Sequence, residues 1–184
     1  MLDWPKFEQL PGGAERNFEL LCRSLVRLRY SAFGEFAELK NQPGVEFHLQ
    51  LSSDCDSLGK SGQWFGWQCK WFDLKKGGTL TASQKGQITH SLSKTRNHLP
   101  QLTDWILCVR EQLTKADQKW FKNLRGTGKT AFPKRLHIWH AADLETRLVD
   151  EAELLRQAYF GDLILTPETL ASRHDFSVAP IRQR

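Results

Sequence analysis

Eight consecutive residues, Gly44-Val45-Glu46-Phe47-His48-Leu49-Gln50-Leu51, alternate apolar and polar side chains with a period of two. Successive side chains of an extended chain point to opposite sides, so this pattern predicts a half-buried strand. Val45, Phe47, Leu49 and Leu51 would face the core, leaving Glu46, His48 and Gln50 on the other side. A second run, Gly66-Trp67-Gln68-Cys69-Lys70-Trp71-Phe72, is rich in the aromatic residues that favour strands and puts Gln68 and Lys70 on one face, with Trp67, Cys69 and Trp71 on the other. Ser52 to Ser61, polar and containing Asp54, Asp56 and Gly59, reads as a long hairpin loop joining the two. Antiparallel pairing would bring Glu46, Gln68 and Lys70 together. Asp54 and Asp56 are expected to serve the turn.

The rest of the chain supplies layers for that sheet. Phe18, Leu21, Cys22, Leu25, Val26 and Leu28 recur at helical spacing after Pro11-Gly12-Gly13, which predicts an amphipathic helix. Residues 33 to 40 read as a strand or an irregular lead-in, and Asn41-Gln42-Pro43-Gly44 as a turn. Thr81-Ala82-Ser83-Gln84 has the capping-box spacing, so a helix should start there and run through Ile88, Leu92 and Thr95 to about His98. A short strand at Trp105 to Val109, a helix from Thr114, a strand at Leu136 to Trp139 and a helix from Ala142 to Tyr159 should follow. Thr166-Pro167 reads as the start of a short last helix ending near His174. The fold class expected is α/β, a small mixed sheet flanked by helices, with extra helices at the C-terminus. Residues 1–174 would form one domain and 175–184 a tail or linker.

Lys and Arg exceed Asp and Glu by 26 to 21, a net charge of +5 that leans toward polyanionic partners without amounting to a nucleic-acid-binding tail. Cys22, Cys55, Cys69 and Cys108 contain no C-x-x-C pair and no Cys/His ladder. Neither a zinc site nor a redox motif is expected, and core thiols are the better reading. With no charged-then-apolar leader and no apolar run of membrane-spanning length, a soluble cytoplasmic protein is expected.

Three short motifs in order, followed by a helix and a strand, carry a resemblance to a known family: Phe18-Glu19-Leu20-Leu21 on the first helix, Gly44-Val45-Glu46 opening a strand and Gln68-Cys69-Lys70 on the next. Together they resemble the Mrr-like branch of the PD-(D/E)XK restriction-endonuclease superfamily over residues 10 to 110. The resemblance implies a restriction-endonuclease-like α-β-β-β-α-β core and divalent-metal-dependent cleavage of DNA phosphodiesters, usually in defence against foreign DNA. Such domains also stand at the N-terminus of large antiviral STAND ATPases. Carried over, Glu46 takes the acidic metal-ligand position, Gln68 the middle position and Lys70 that of the catalytic lysine. Glu46 and Gln68 with Glu19 and the Cys69 backbone carbonyl are the metal ligands so implied. The ion would be Mg2+, with Mn2+ able to substitute, and the partner double-stranded DNA, cut by a dimer or larger assembly. Glu46 departs from the family's usual Asp, and Gln68 replaces a carboxylate, so metal binding should be weaker than at a two-carboxylate site unless Glu19 restores the charge.

The chemistry requires these residue types independently. A phosphodiester is anionic and resists attack, hard oxygen donors suit Mg2+, and a lysine ammonium can stabilise both hydroxide and the charge that develops on phosphorus. Lys85, Lys94 and Arg96, on the helix that follows the lysine strand, are candidate DNA-phosphate contacts along with Ser91 and Thr95, against the alternative of a solvated helix face. His48 is more simply a strand histidine than a base-reading one. Arg125-Gly126-Thr127-Gly128-Lys129-Thr130 is not a phosphate-binding P-loop, because Asn123 stands where the first glycine is needed and a helix precedes it where a strand should. A basic loop touching DNA is the preferred reading. The alternative function is a catalytically silent domain of the same fold that binds nucleic acid or tethers a partner, and a third is an RNA-directed enzyme.

Overall fold

A computed structural model of the chain describes residues 2–39, 44–75, 77–128 and 131–161. The expected helix at Thr166-Pro167 and the tail from residue 175 lie outside the described residues. The elements run α1 (Trp4–Glu8), α2 (Ala14–Tyr30), a 3-10 turn (Ser31–Phe33), β1 (Gly34–Glu38), β2 (Phe47–Leu51), β3 (Trp64–Lys70), α3 (Ala82–His98), β4 (Asp104–Val109), α4 (Lys115–Asn123), β5 (Arg135–Trp139), α5 (Ala141–Glu151) and α6 (Glu153–Phe160). The five strands lie side by side in chain order. β1, β2 and β3 are antiparallel, whereas β3, β4 and β5 are parallel. The expected α/β fold with a small mixed sheet between helices is what the chain adopts.

Topology decides which face each helix covers. Parallel crossovers are right-handed, so two of them stepping the same way across a sheet put both helices on one face. Accordingly Ile88 and Leu92 of α3 and Phe121 of α4 pack with Trp105, Leu107 and Val109 of β4 in one core. On the other face α1, α2, α5 and α6 cover Phe47, Leu49, Leu51, Trp67, Ile106 and Cys108. β4 therefore has helices on both faces and is buried at every position, as a continuous apolar run predicts. Aromatic side chains dominate the second core: Phe7 stacks at 5.5 Å on Trp71 and at 5.2 Å on Phe160, and Phe47 stacks at 5.6 Å on Trp67.

Three sequence expectations change. The strand expected from Gly44 is regular only from Phe47, and Val45 packs in the α3 core while Phe47, Leu49 and Leu51 face α2. The helix expected from Ala142 to Tyr159 is two helices that break at Ala152, whose φ of −150° and ψ of 49° are not helical and whose methyl is buried. An unexpected helix, α1, precedes α2, with Asp3 capping it and Pro5 in its first turn.

Lys85 is committed to the fold, which qualifies its assignment to DNA. Its ammonium lies 2.6 Å from buried Asp117 and 5.1 Å from the Trp120 ring centroid. Asp117 also accepts hydrogen bonds from the Leu80 N–H and the Thr114 hydroxyl, each at 2.9 Å. Ser91 and Thr95 likewise turn inward, the Thr95 hydroxyl donating to the Ser91 carbonyl at 2.8 Å. Burial alone would raise the Asp117 carboxyl, but the Lys85 ammonium and the two hydrogen-bond donors outweigh it and hold the carboxyl below its ordinary range. A depressed carboxyl stabilises the fold above its unfolded value, about 3.9, and loses that contribution as the pH falls toward the folded value. Asp117→Ala should therefore cost about 2 kcal/mol or more in denaturant melts at pH 7. The gap to wild type should shrink in melts below pH 4. A constant gap across that window would mean the carboxylate charge contributes nothing.

Candidate active site

Gly44 sets the course of the chain into β2. Its φ is +127°, and a Cβ there would stand 2.8 Å from the Thr95 hydroxyl and 3.0 Å from the Thr95 backbone nitrogen. Only glycine meets both demands, a left-handed backbone and direct approach to α3. Val45 then drops into the α3 core against Gly66, and Glu46 stands one residue beyond the paired Phe47 and Trp67, opposite Gln68. Two backbone hydrogen bonds, both 2.9 Å, pin it: the Glu46 N–H donates to the Trp67 carbonyl and the Leu39 N–H to the Glu46 carbonyl.

At that point the expected residues meet. The Gln68 Nε2 donates to Glu46 Oε1, and the Cys69 N–H donates to Glu46 Oε2 at 3.1 Å. Gln68 is 2% exposed, and its Oε1 is buried without a hydrogen-bond partner. Lys70, two residues along the same strand, is half-buried at the end of β3. Burial pushes the Glu46 carboxyl well above the ordinary carboxylate range; the Lys70 ammonium pulls it down and the Glu19 carboxylate pushes it further up. Glu19, half-buried on α2, also lines a surface groove of about 490 Å³ with Gly12, Gly13, Glu15 and Arg16. The site thus joins a carboxyl whose charged form burial disfavours to a buried amide and a neighbouring ammonium, and of these residues Glu19 is the one that lines the groove. Cys69, expected to contribute its carbonyl, is seen here donating its N–H.

The other candidates fall elsewhere. His48 is half-buried, its ring 5.3 Å from that of Trp64, and burial lowers its pKa, disfavouring the imidazolium. Asp54 caps its own loop, accepting from the Ser61 N–H at 2.9 Å and pairing with Lys60 at 2.8 Å. Lys94 and Arg96 flank Thr95, the residue against which Gly44 packs. Arg96 is exposed and lines a groove with Thr89, Ser93 and Arg125, and Arg125 also borders a larger basic groove with Lys122, Lys134, Arg135 and His137.

Two features had no motif to announce them. Arg110, just after β4, lies 4.4 Å over the Trp71 ring, pairs with Glu8 at 2.6 Å, binds the Asp73 carboxylate and donates to the Phe72 carbonyl at 3.3 Å. It braces the segment that follows Lys70. Cys22, Cys69 and Cys108, which no sequence spacing links, converge in the α2-facing core with their sulfurs all within 4.8 Å of one another. All four cysteines are free, buried thiols, as expected. The trio could have been found by strand face and helix face, not by spacing: Cys22 stands one turn after Glu19, and Cys69 and Cys108 are register partners.

No protein-family model matches the sequence, and no curated protein matches it. Among the described residues, no helix is long and apolar enough to cross a membrane.

Proposed function

We propose that the chain is a metal-dependent endonuclease domain that hydrolyses DNA phosphodiester bonds, of the Mrr-like PD-(D/E)XK type, with a role in defence against foreign DNA. One observation carries the reading: a buried, unpartnered amide oxygen, Gln68 Oε1, belongs to the side chain that hydrogen-bonds a half-buried carboxyl with a raised pKa, Glu46. An orphaned acceptor next to a desolvated acid costs the fold free energy that apolar residues would not. A hard divalent cation would satisfy both groups, and Mg2+ fits an all-oxygen donor set of Glu46, Gln68 and Glu19.

When bound, Mg2+ supplies charge neutralisation of the scissile phosphate and a lowered pKa for the attacking water. The protein's own groups do the rest. Glu46, held by backbone hydrogen bonds at the entry to β2, and Gln68 of β3 are positioned by the sheet before substrate arrives, which limits the reorganisation their oxygens need. Lys70 places an ammonium beside the same point, where it offsets the negative charge that grows on phosphorus. Lys94, Arg96 and the groove around Arg125 would position the DNA backbone without reading its sequence. Lys85 is assigned a structural part.

Supercoiled plasmid incubated with the protein and Mg2+ or Mn2+ tests this. Conversion to nicked or linear DNA, stopped by EDTA, is expected. Intact plasmid under both ions, with the DNA retarded on a gel, would establish the silent binding domain instead, and preferential cleavage of RNA would establish the third reading.

A further inference from the structure

The nuclease reading uses the backbone of Cys69 but none of the three clustered cysteine sulfurs. Cys22 comes from α2, Cys69 from β3 and Cys108 from β4, so the cluster ties a helix to two neighbouring strands at the centre of the molecule. Cys22 and Cys108 have no exposed surface and Cys69 is 5% exposed. Burial raises the Cys22 and Cys69 thiols well above their ordinary value. Burial would raise Cys108 too, but the neighbouring Cys22 and Cys69 thiols outweigh it and bring it down to about 6. The three sulfurs already address one another.

We propose that Cys22, Cys69 and Cys108 form a binding site for a single soft, thiol-loving cation, with Cu(I) the ion whose chemistry fits. Three sulfurs around one ion at ordinary metal–sulfur lengths stand roughly 4 Å apart. The present spread, within 4.8 Å, needs only a small contraction. Thiolate donors select Cu(I) or Zn(II) among biological ions, and hard ions such as Mg2+ are excluded by the sulfur set. Zn(II) asks for a fourth ligand, and no other His, Cys, Asp or Glu among the described residues joins this group. Cu(I) accepts three sulfurs in a plane. Each thiol that coordinates releases its proton to solvent, and no electron moves. The Arg147 guanidinium, stacked 4.1 Å from the Trp139 ring and donating to the Tyr30 hydroxyl at 2.6 Å, favours negative charge at Cys108, while the Glu46 carboxylate opposes it.

The experiment is anaerobic titration of the reduced full chain with Cu(I) held by a coloured competing chelator, followed by X-ray absorption of the loaded protein. One ion per chain with sulfur-only coordination is expected, unchanged in Cys55→Ser, which removes the cysteine outside the trio. Cys108→Ser should weaken retention by more than the roughly 10–100-fold that loss of a mere supporting contact costs. Failure of the folded wild type to take Cu(I) from the chelator overturns the proposal. So do oxygen or nitrogen ligands in the spectrum, retention that disappears with Cys55, or Zn(II) held more tightly than Cu(I). Should Cys108→Ser not fold, the wild-type spectrum and the Cys55→Ser titration still decide. None of these readouts depends on DNA cleavage, so this site and the nuclease stand or fall separately.

Discussion

Lys70→Ala should lower the rate of plasmid cleavage by roughly 10²–10³-fold, the cost of removing one preorganised group from a developing oxyanion. Binding should change little, because a single ammonium is a small part of a phosphate-contacting surface. The fold should also survive, since Lys70 is half-buried at a strand end and its packing can be kept by Lys70→Met, which retains the stem without the charge. Both variants should show wild-type melting and wild-type gel retardation together with the lost rate. Equal cleavage by wild type and Lys70→Met would remove Lys70 from the chemistry. Cleavage and retardation lost together would instead assign it to DNA binding.

Glu46→Gln should abolish metal-dependent cleavage and at the same time make the protein harder to melt. Glu46 has a pKa raised in the folded state chiefly by burial, so its charged form opposes folding. A raised carboxyl contributes stability below its unfolded value, about 4.3, and loses it progressively as the pH climbs to the folded value. The amide escapes that loss and keeps an oxygen for the Cys69 N–H. Its advantage should be absent at pH 4, grow as the pH rises and then level off. A gain of a few degrees in Tm at pH 8 corresponds to about 1 kcal/mol in a chain of this size. Melting of the variant at or below the wild-type temperature across that range would contradict a functional carboxylate held at the expense of stability. Measured without divalent ions, this outcome is independent of activity.

The two strands that meet at Glu46 and Gln68 were legible because alternation of side chains is a local property. Gln68, Lys70, Trp67 and Cys69 fall on the faces that period two assigns them. Val45 defeated the same rule because Gly44 bends the chain around Thr95, a contact with a later helix that no short window of sequence contains. The helix break at Ala152 was hidden because alanine favours helices and the backbone departure there has no proline or glycine to mark it. Lys85 looked like a free cation on a helix face, since nothing in the sequence pairs it with Asp117 on α4. The cysteines misled for a related reason. Metal motifs read from spacing come from tight turns, whereas these three sulfurs are assembled from a helix and two strands by the packing of the core.

The Arg110 brace carries a consequence for where the working unit begins. The motifs resembling a nuclease start on α2, yet Glu8 of the preceding short helix holds Arg110, and Arg110 holds Trp71, Phe72 and Asp73 directly downstream of Lys70. Shortening the protein to its motif-bearing stretch would free one end of this strut and let the lysine's strand fray. The opening residues are thus a splint for the ammonium, remote in sequence and joined to it through one guanidinium.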